Sequence, residues 1–369
     1  MWNSSGRLSH TKVNCRSNDY FHHAQSLDNC LIADTLTQKY DLNSDNSVIS
    51  SFDYRYDNTD HKTSVVEANG DRVTWTCDAN SRLTQEQRSG ADAYNQHSTF
   101  DALGNRLVLN IDGALTTSTF NSANQLLTSE DAGGVTTYTY DAVGNQRVVE
   151  TPAGARTTSV WDDESRRIQV LLPSTQIITS TYRGDGLRYS KQNSQGTTKF
   201  VWDERRYLLE TNASDDTQVV YTSPPVPFGR LLSQHRKSGA MWVPSYYHTD
   251  ALGSSRALTD ETQAITDTYT YDAWGEEVAR TGTTDNPFQW VGAVGYYRDP
   301  ETGAYYVRAR IYSAEIARWI SRDPIGFRGN KWNQFEYCSS RVLVRRDPTG
   351  LFDFAPIPDP LPPLPDPCQ

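Results

Sequence analysis

Methionine is scarce in this chain, two among 369 residues, and the five cysteines (15, 30, 77, 338 and 368) are scattered, with no CxxC pair. A disulfide framework needs an even, regularly spaced set, and a zinc site needs cysteines or histidines at ligand spacing. Of the seven histidines only His22 and His23 are adjacent, and neighbouring side chains point to opposite faces of a strand. The residues specify no metal and no cofactor. Long apolar runs are missing too. None approaches the roughly 18 residues that cross a bilayer, which excludes a membrane span. The start, Met1-Trp2-Asn3-Ser4-Ser5-Gly6-Arg7, lacks the apolar stretch of a secretory signal. Positive charge is in deficit, 35 Lys and Arg against 45 Asp and Glu, which argues against nucleic acid as a partner.

Aromatic residues are plentiful: 9 Trp, 21 Tyr and 11 Phe, enough rings to fill a large core. With many Thr and Val they favour strands over helices. They also recur. A bulky residue followed by Asp or Asn appears at Tyr56-Asp57, Cys77-Asp78, Phe100-Asp101, Phe120-Asn121, Tyr140-Asp141 and Trp161-Asp162, with steps of 21, 23, 20, 20 and 21 residues. Trp202-Asp203 follows two periods later, with a degenerate copy at Tyr182-Arg183-Gly184-Asp185-Gly186 between. A turn pair trails the Asp or Asn: Gly104-Asn105, Asn124-Gln125, Gly144-Asn145. Each unit reads as strand, turn, strand, turn: the aromatic anchors a strand end, the Asp bonds turn amides two residues on, and Gly supplies positive φ. Trp2-Asn3 opens such a copy, so the chain reads as the downstream part of a longer array, with residues 1–45 as a degenerate, loosely ordered remnant.

This repeat resembles the YD repeats of the Rhs family, shared with teneurins and the C component of insecticidal toxin complexes. The second half carries more of the resemblance: Tyr246-Tyr247-His248-Thr249-Asp250-Ala251-Leu252-Gly253-Ser254, Tyr269-Thr270-Tyr271-Asp272-Ala273-Trp274-Gly275, Gly303-Ala304-Tyr305-Tyr306-Val307-Arg308-Ala309-Arg310, Arg318-Trp319-Ile320-Ser321-Arg322-Asp323-Pro324-Ile325-Gly326, and Asp347-Pro348-Thr349-Gly350-Leu351. These are similar to the Rhs repeat-associated core. The resemblance implies an all-β fold: YD hairpins over 46–240 forming a curved or partial shell, closed by an Rhs core over 241–351. It also implies other YD-repeat segments or an upstream shell portion as partners, a secreted or cell-surface setting, and a toxin segment after the DPxGL motif. Here only 18 residues follow Leu351, seven of them Pro, a tail (352–369) expected to be disordered and unable to build a toxin core.

Self-cleavage is the family's chemistry. The resemblance assigns Asp323 as a catalytic carboxylate, Leu351-Phe352 as the bond cut, and Arg318 or Arg322 as the cation that steadies charge. No Asp or Glu lies between Asp323 and Glu336, where toxin-complex relatives place the second carboxylate, and Val342 stands where a Pro is usual. Asp347 is the remaining candidate, with a turn role before Pro348 as the alternative. Lacking that second carboxylate, and with Asp323 expected to be wet in an open shell, the chain reads as a structural, non-enzymatic shell fragment without a toxin warhead. An aspartic autoprotease is one rival. The other is a carbohydrate or cell-surface binder using Trp274, Trp290, Tyr296, Tyr297, Tyr305, Tyr306 and Trp319, rings that otherwise line a core. Ile316, Trp319 and Ile320 stand at helical spacing, which predicts one short helix over 313–320.

Overall fold

The computed structural model describes residues 10–16, 21–22, 35–226, 228–329 and 332–354. Among them, 25 strands form one antiparallel sheet and four more form a second. The first strand, His10–Arg16, pairs with Thr35–Leu42. From there each strand pairs with its successor in the chain, hairpin after hairpin, to Glu277–Thr281. No ladder joins its first and last strands, so the sheet is open. Two boundaries differ from the sequence reading. His10–Arg16 and Thr35–Leu42 are ladder members within 1–45, and the sheet runs on past residue 241, because Met241–Thr249 through Glu277–Thr281 keep the same hairpin alternation. The Trp2-Asn3 copy lies outside the described residues.

The turns follow the expected chemistry. Asp101 Oδ1 accepts from the amides of Leu103 (2.8 Å) and Asn105 (2.9 Å), and Asp141 Oδ1 from those of Val143 (3.1 Å) and Asn145 (2.8 Å). Asp57, Asp162 and Asp272 do the same. Asp203 does not. Its hairpin closes on two residues, Glu204 at φ +52° and Arg205, so there are no longer-turn amides to bind, and Asp203 pairs with Arg206 instead. The aromatic anchors tie successive units together: Trp161 Nε1 donates to Gln146 O, Tyr182 Oη to Arg167 O, and Trp202 Nε1 to Arg188 O, each at 2.8–2.9 Å.

The same aromatics mark where the sheet bends. The ladder register shifts at Tyr56, Cys77, Phe100, Phe120, Tyr140, Trp161, Tyr182, Trp202 and Tyr271. A bulge adds local twist and bends its strand, and one bulge per unit adds up to a roll. Far-apart parts of the sheet consequently meet. The Ala251 amide donates to Tyr54 Oη (3.1 Å), Arg256 pairs with Glu67 (2.6 Å), and the Ala273 amide donates to Glu86 Oε2 (2.8 Å).

Residues 286–350 fill the curl. Their small sheet comprises Tyr297–Arg298, Tyr305–Val307, Arg310–Ser313 and Arg318–Trp319. The short helix expected over 313–320 is absent: Ala317 sits at φ +56°, its amide donates to Ala314 O, and a turn reverses the chain so that Trp319 pairs with Tyr312. Trp290, Tyr296, Tyr305, Tyr306, Tyr312, Trp319 and Tyr337 pack with Phe200, Trp202, Tyr207 and Tyr221 of the large sheet into one core. Arg188 locks the two parts together. Its guanidinium lies 4.4–4.9 Å from the ring centres of Tyr306, Phe200 and Tyr297, and its Nη1 donates to both carboxylate oxygens of Asp299 (3.0 and 2.9 Å). The seven rings offered for sugar stacking are each 6% exposed or less, which leaves them no face for a ligand.

Candidate active site at the C-terminal turn

Asp347-Pro348-Thr349-Gly350-Leu351 folds as another Asp turn, with the Gly350 amide donating to Asp347 O (3.2 Å) as Gly104 does to Asp101 O. It differs from the repeat turns in depth and in reach. Asp347 is 1% exposed, and its Oδ1 accepts from Thr349 Oγ1 (2.9 Å), the Leu351 amide (3.0 Å) and the Phe352 amide (3.0 Å). The last of these is the nitrogen of the bond singled out in the sequence.

Three consecutive residues clamp this turn. Arg308 Nη1 donates to Pro348 O, the Ala309 amide to Thr349 O (3.2 Å), and Arg310 Nε to Gly350 O. The fit is tight enough to demand glycine: Gly350 is at φ +72°, and a Cβ there would lie 2.5 Å from Val307 O. Arg310 does more. Its Nη2 contacts Asp347 Oδ2 and Asp323 Oδ2, both at 3.2 Å, and its guanidinium stacks 4.2 Å from the Trp319 ring centre. Burial pulls the guanidinium below its usual range, and Asp347 and Asp323 oppose that pull. Asp323 reaches the site from its own Asp-Pro turn, where Oδ1 accepts from the Ile325 amide (3.1 Å). It is 7% exposed, buried rather than wet. The Tyr296 hydroxyl accepts from the Asp347 amide (2.9 Å) and pairs with the Tyr337 hydroxyl.

The structure thus joins the buried carboxylates of Asp323 and Asp347 through Arg310, and Asp347 reaches the amide of Phe352, a residue that is itself exposed. It places Arg322 elsewhere: Nε donates to Gln334 Oε1 (2.7 Å) and Nη1 to Val143 O. Arg318 donates to Asn124 O between the rings of Phe120 and Phe335. Both arginines fasten the core to the large sheet. The arginine on the carboxylates is Arg310, which sequence reasoning did not single out. Its signal is the Arg308-Ala309-Arg310 triplet, whose meaning depends on a turn 40 residues away. Among the described residues no group of three His, Cys, Asp or Glu is arranged to hold a metal, and no helix is long and apolar enough to cross a membrane.

Residues 120–156 match the family described as RHS Repeat. A tRNA3(Ser)-specific nuclease WapA of Bacillus spizizenii is 29% identical over 266 residues, covering 68% of this chain and 11% of that protein. Toxin protein Tse5 of Pseudomonas aeruginosa is 25% identical over 356 residues, covering 81% of this chain and 27% of that protein. The chain therefore spans a small part of the length of these curated relatives. A crystal structure of TcdB2-TccC3 overlays 86% of this chain on 21% of its own at 17% identity, with a TM-score of 0.44. An open sheet of hairpins with an Asp turn every twenty or so residues, curled around an aromatic core, defines a repeat scaffold. The chain carries an RHS repeat over 120–156 and is similar to these curated relatives over two thirds or more of its own length.

Proposed function

We propose that the chain is a shell segment, a curved YD-repeat wall seated on an Rhs core, and that its final turn cleaves the Leu351-Phe352 bond. The scaffold role rests on the way residues 286–350 engage the sheet over much of its length, from Lys62 to Gly275. In this reading the wall encloses material continuous with the core or supplied by neighbouring repeat segments, in a secreted or surface-exposed setting.

One observation carries the cleavage reading: Asp347 Oδ1 lies 3.0 Å from the Phe352 nitrogen while Arg310 Nη2 bridges Asp347 to Asp323. Two carboxylates in different protonation states can divide the work of amide hydrolysis. Asp323 takes a proton from water, whose oxygen adds to the Leu351 carbonyl. Asp347, which in the resting turn accepts the Phe352 N–H, takes up a proton from solvent and gives it to the Phe352 nitrogen as that nitrogen leaves. The C–N bond breaks, a C–O bond forms, and the products are a Leu351 carboxylate and a Phe352 amine. The Arg308–Arg310 clamp holds the turn in place, and Asp323, Asp347 and Arg310 are buried, which limits screening of their charges.

Intact-mass measurement of purified protein tests this. The expected result is loss of the peptide Phe352–Gln369, with Asp323→Asn and Asp347→Asn each slowing release by about 10² to 10⁴-fold, the usual range for a general acid or base. Wild-type protein that keeps its full mass over days between pH 5 and 8 overturns the cleavage reading and leaves the scaffold alone.

A further inference from the structure

Among the described residues, Lys39 pairs with Asp41 (2.6 Å), Lys191 with Glu301 (3.1 Å) and Lys199 with Asp215 (2.7 Å), while Lys12 and Lys237 are exposed to solvent. Lys62, which opens the strand Lys62–Glu67, is neither paired with a carboxylate nor exposed. Its Nζ donates to Leu343 O (3.0 Å) and lies 4.7 Å from the ring centre of Tyr54, and both partners are neutral. The bond to Leu343 O uses one N–H, so an amine that has lost a proton keeps its lone pair free. Lys62 is also a wall of two cavities. One, of about 70 Å³, is polar and lies under the seam beside Glu67 and Arg256. The other, of about 230 Å³, has aliphatic walls, Leu83, Val342, Leu343 and Val344.

Surroundings without a counter-charge favour the neutral amine. Burial draws Lys62 down to about 8, and Asp250 opposes that pull. The other charged groups lining the two cavities are engaged elsewhere. Glu67 pairs with Arg256, Arg345 with Asp353 and His61 with Asp57, and Arg341 donates to Asn80 O. Glu86 and Asp272 accept from backbone amides of the turn 272–276. At pH 7.5 about a quarter of the Lys62 amine is then unprotonated, against about one part in a thousand for a lysine in water. A neutral amine beside an apolar cavity is placed to attack a carbonyl carbon. We propose that Lys62 is a nucleophilic modification site, whose amine takes a short apolar aldehyde lodged against Val342, Leu343 and Val344. The nitrogen lone pair adds to the aldehyde carbon, the carbonyl oxygen takes up a proton, and the carbinolamine loses water to leave a C=N bond. The inference does not depend on cleavage.

The test needs only the wild-type chain. Folded protein is incubated at pH 7.5 with butanal and cyanoborohydride, whose hydride reduces each imine to a stable secondary amine. Peptide mass spectrometry then reads the labelled lysines. The expected result is butylation of Lys62 at least tenfold faster than of the exposed Lys237, with a Lys62 rate that levels off above about pH 8.5. Glyceraldehyde, another short aldehyde but a polar one, should narrow the ratio of the two rates at least threefold, because the aliphatic walls favour butanal. A ratio below tenfold with butanal overturns the proposal, since the amine is then closed off or charged. Fast labelling of Lys62 with the same ratio for both aldehydes overturns it in a second way, because the cavity then selects no apolar ligand.

Discussion

Asp101, Asp141 and Asp347 each cap the turn that follows through Oδ1, and reach and surroundings separate them. A carboxylate that caps a surface turn is a structural group. The same carboxylate at 1% exposure shares an arginine with a second carboxylate and touches a peptide nitrogen, the arrangement on which the proposed proton transfer rests. Arginine chemistry separates just as sharply. Arg310 presents a planar fork to two carboxylates and a carbonyl, which a lysine cannot reproduce. Arg310→Lys should therefore slow release of Phe352–Gln369 by at least tenfold in a time-resolved intact-mass assay. Arg322→Ala, which removes a contact to Gln334 and Val143, should leave that rate within twofold. Equal effects of the two would place the catalytic cation wrongly.

At the scale of the hairpin, each turn has to satisfy a backbone geometry, and a few must also fit against the core. Gly113 and Gly275 separate the two demands. Both have φ near +90°, but a Cβ on Gly113 meets nothing within 4 Å, whereas one on Gly275 would lie 2.5 Å from Trp290 Cδ2. Gly113→Ala should cost about 1 kcal/mol, the backbone strain alone. Gly275→Ala should cost about 2–4 kcal/mol, because overpacking against a buried indole adds to it. Urea midpoints of the two variants check this, and equal losses would mean that the turn's packing against the core contributes nothing.

Across the whole molecule, the early strands meet the late turns along a seam, and one contact there is titratable. Glu86, on the strand Leu83–Arg88, accepts the Ala273 amide with its carboxyl group 3% exposed. Burial and the neighbouring Asp272 push it up to about 8. Burial likewise raises Asp272 to about 6, and burial with Asp272 raises Glu276 to about 7. Arg106 offsets part of this charge on Asp272 and Glu276, and Tyr94 faces Glu86. A carboxyl whose folded value lies above its unfolded value stabilises the fold fully at low pH. That contribution fades as pH climbs through the folded value. The melting temperature should accordingly fall between about pH 5 and pH 9, and Glu86→Gln should flatten the decline by several degrees. A wild-type curve that is level over this range would show that the seam does not hold a proton.

Local chemistry was legible in the sequence. The spacing of Tyr56, Phe100, Tyr140 and Trp161 determined the hairpins, and the following Asp and Gly or Asn determined the turns, because those turns close through bonds within five residues. The Rhs core motifs singled out Asp323, Asp347 and the Leu351-Phe352 bond as candidates for the same reason: each is a short, contiguous pattern. Helical spacing over 313–320 misled, since Trp319 answers to Tyr312 across a turn rather than to its own neighbours. What tertiary structure alone decided is which distant groups meet. The bulge at each aromatic bends the sheet by an amount no single repeat reveals, and only the accumulated roll brings Glu86 to Ala273 and Tyr54 to Ala251. In the core, the site forms because Arg310 and Asp323 fold back onto the turn at Asp347, 37 and 24 residues along the chain from it. A sequence records periodicity and neighbours. Burial and the pairing of two carboxylates through one guanidinium exist only once the chain has closed on itself.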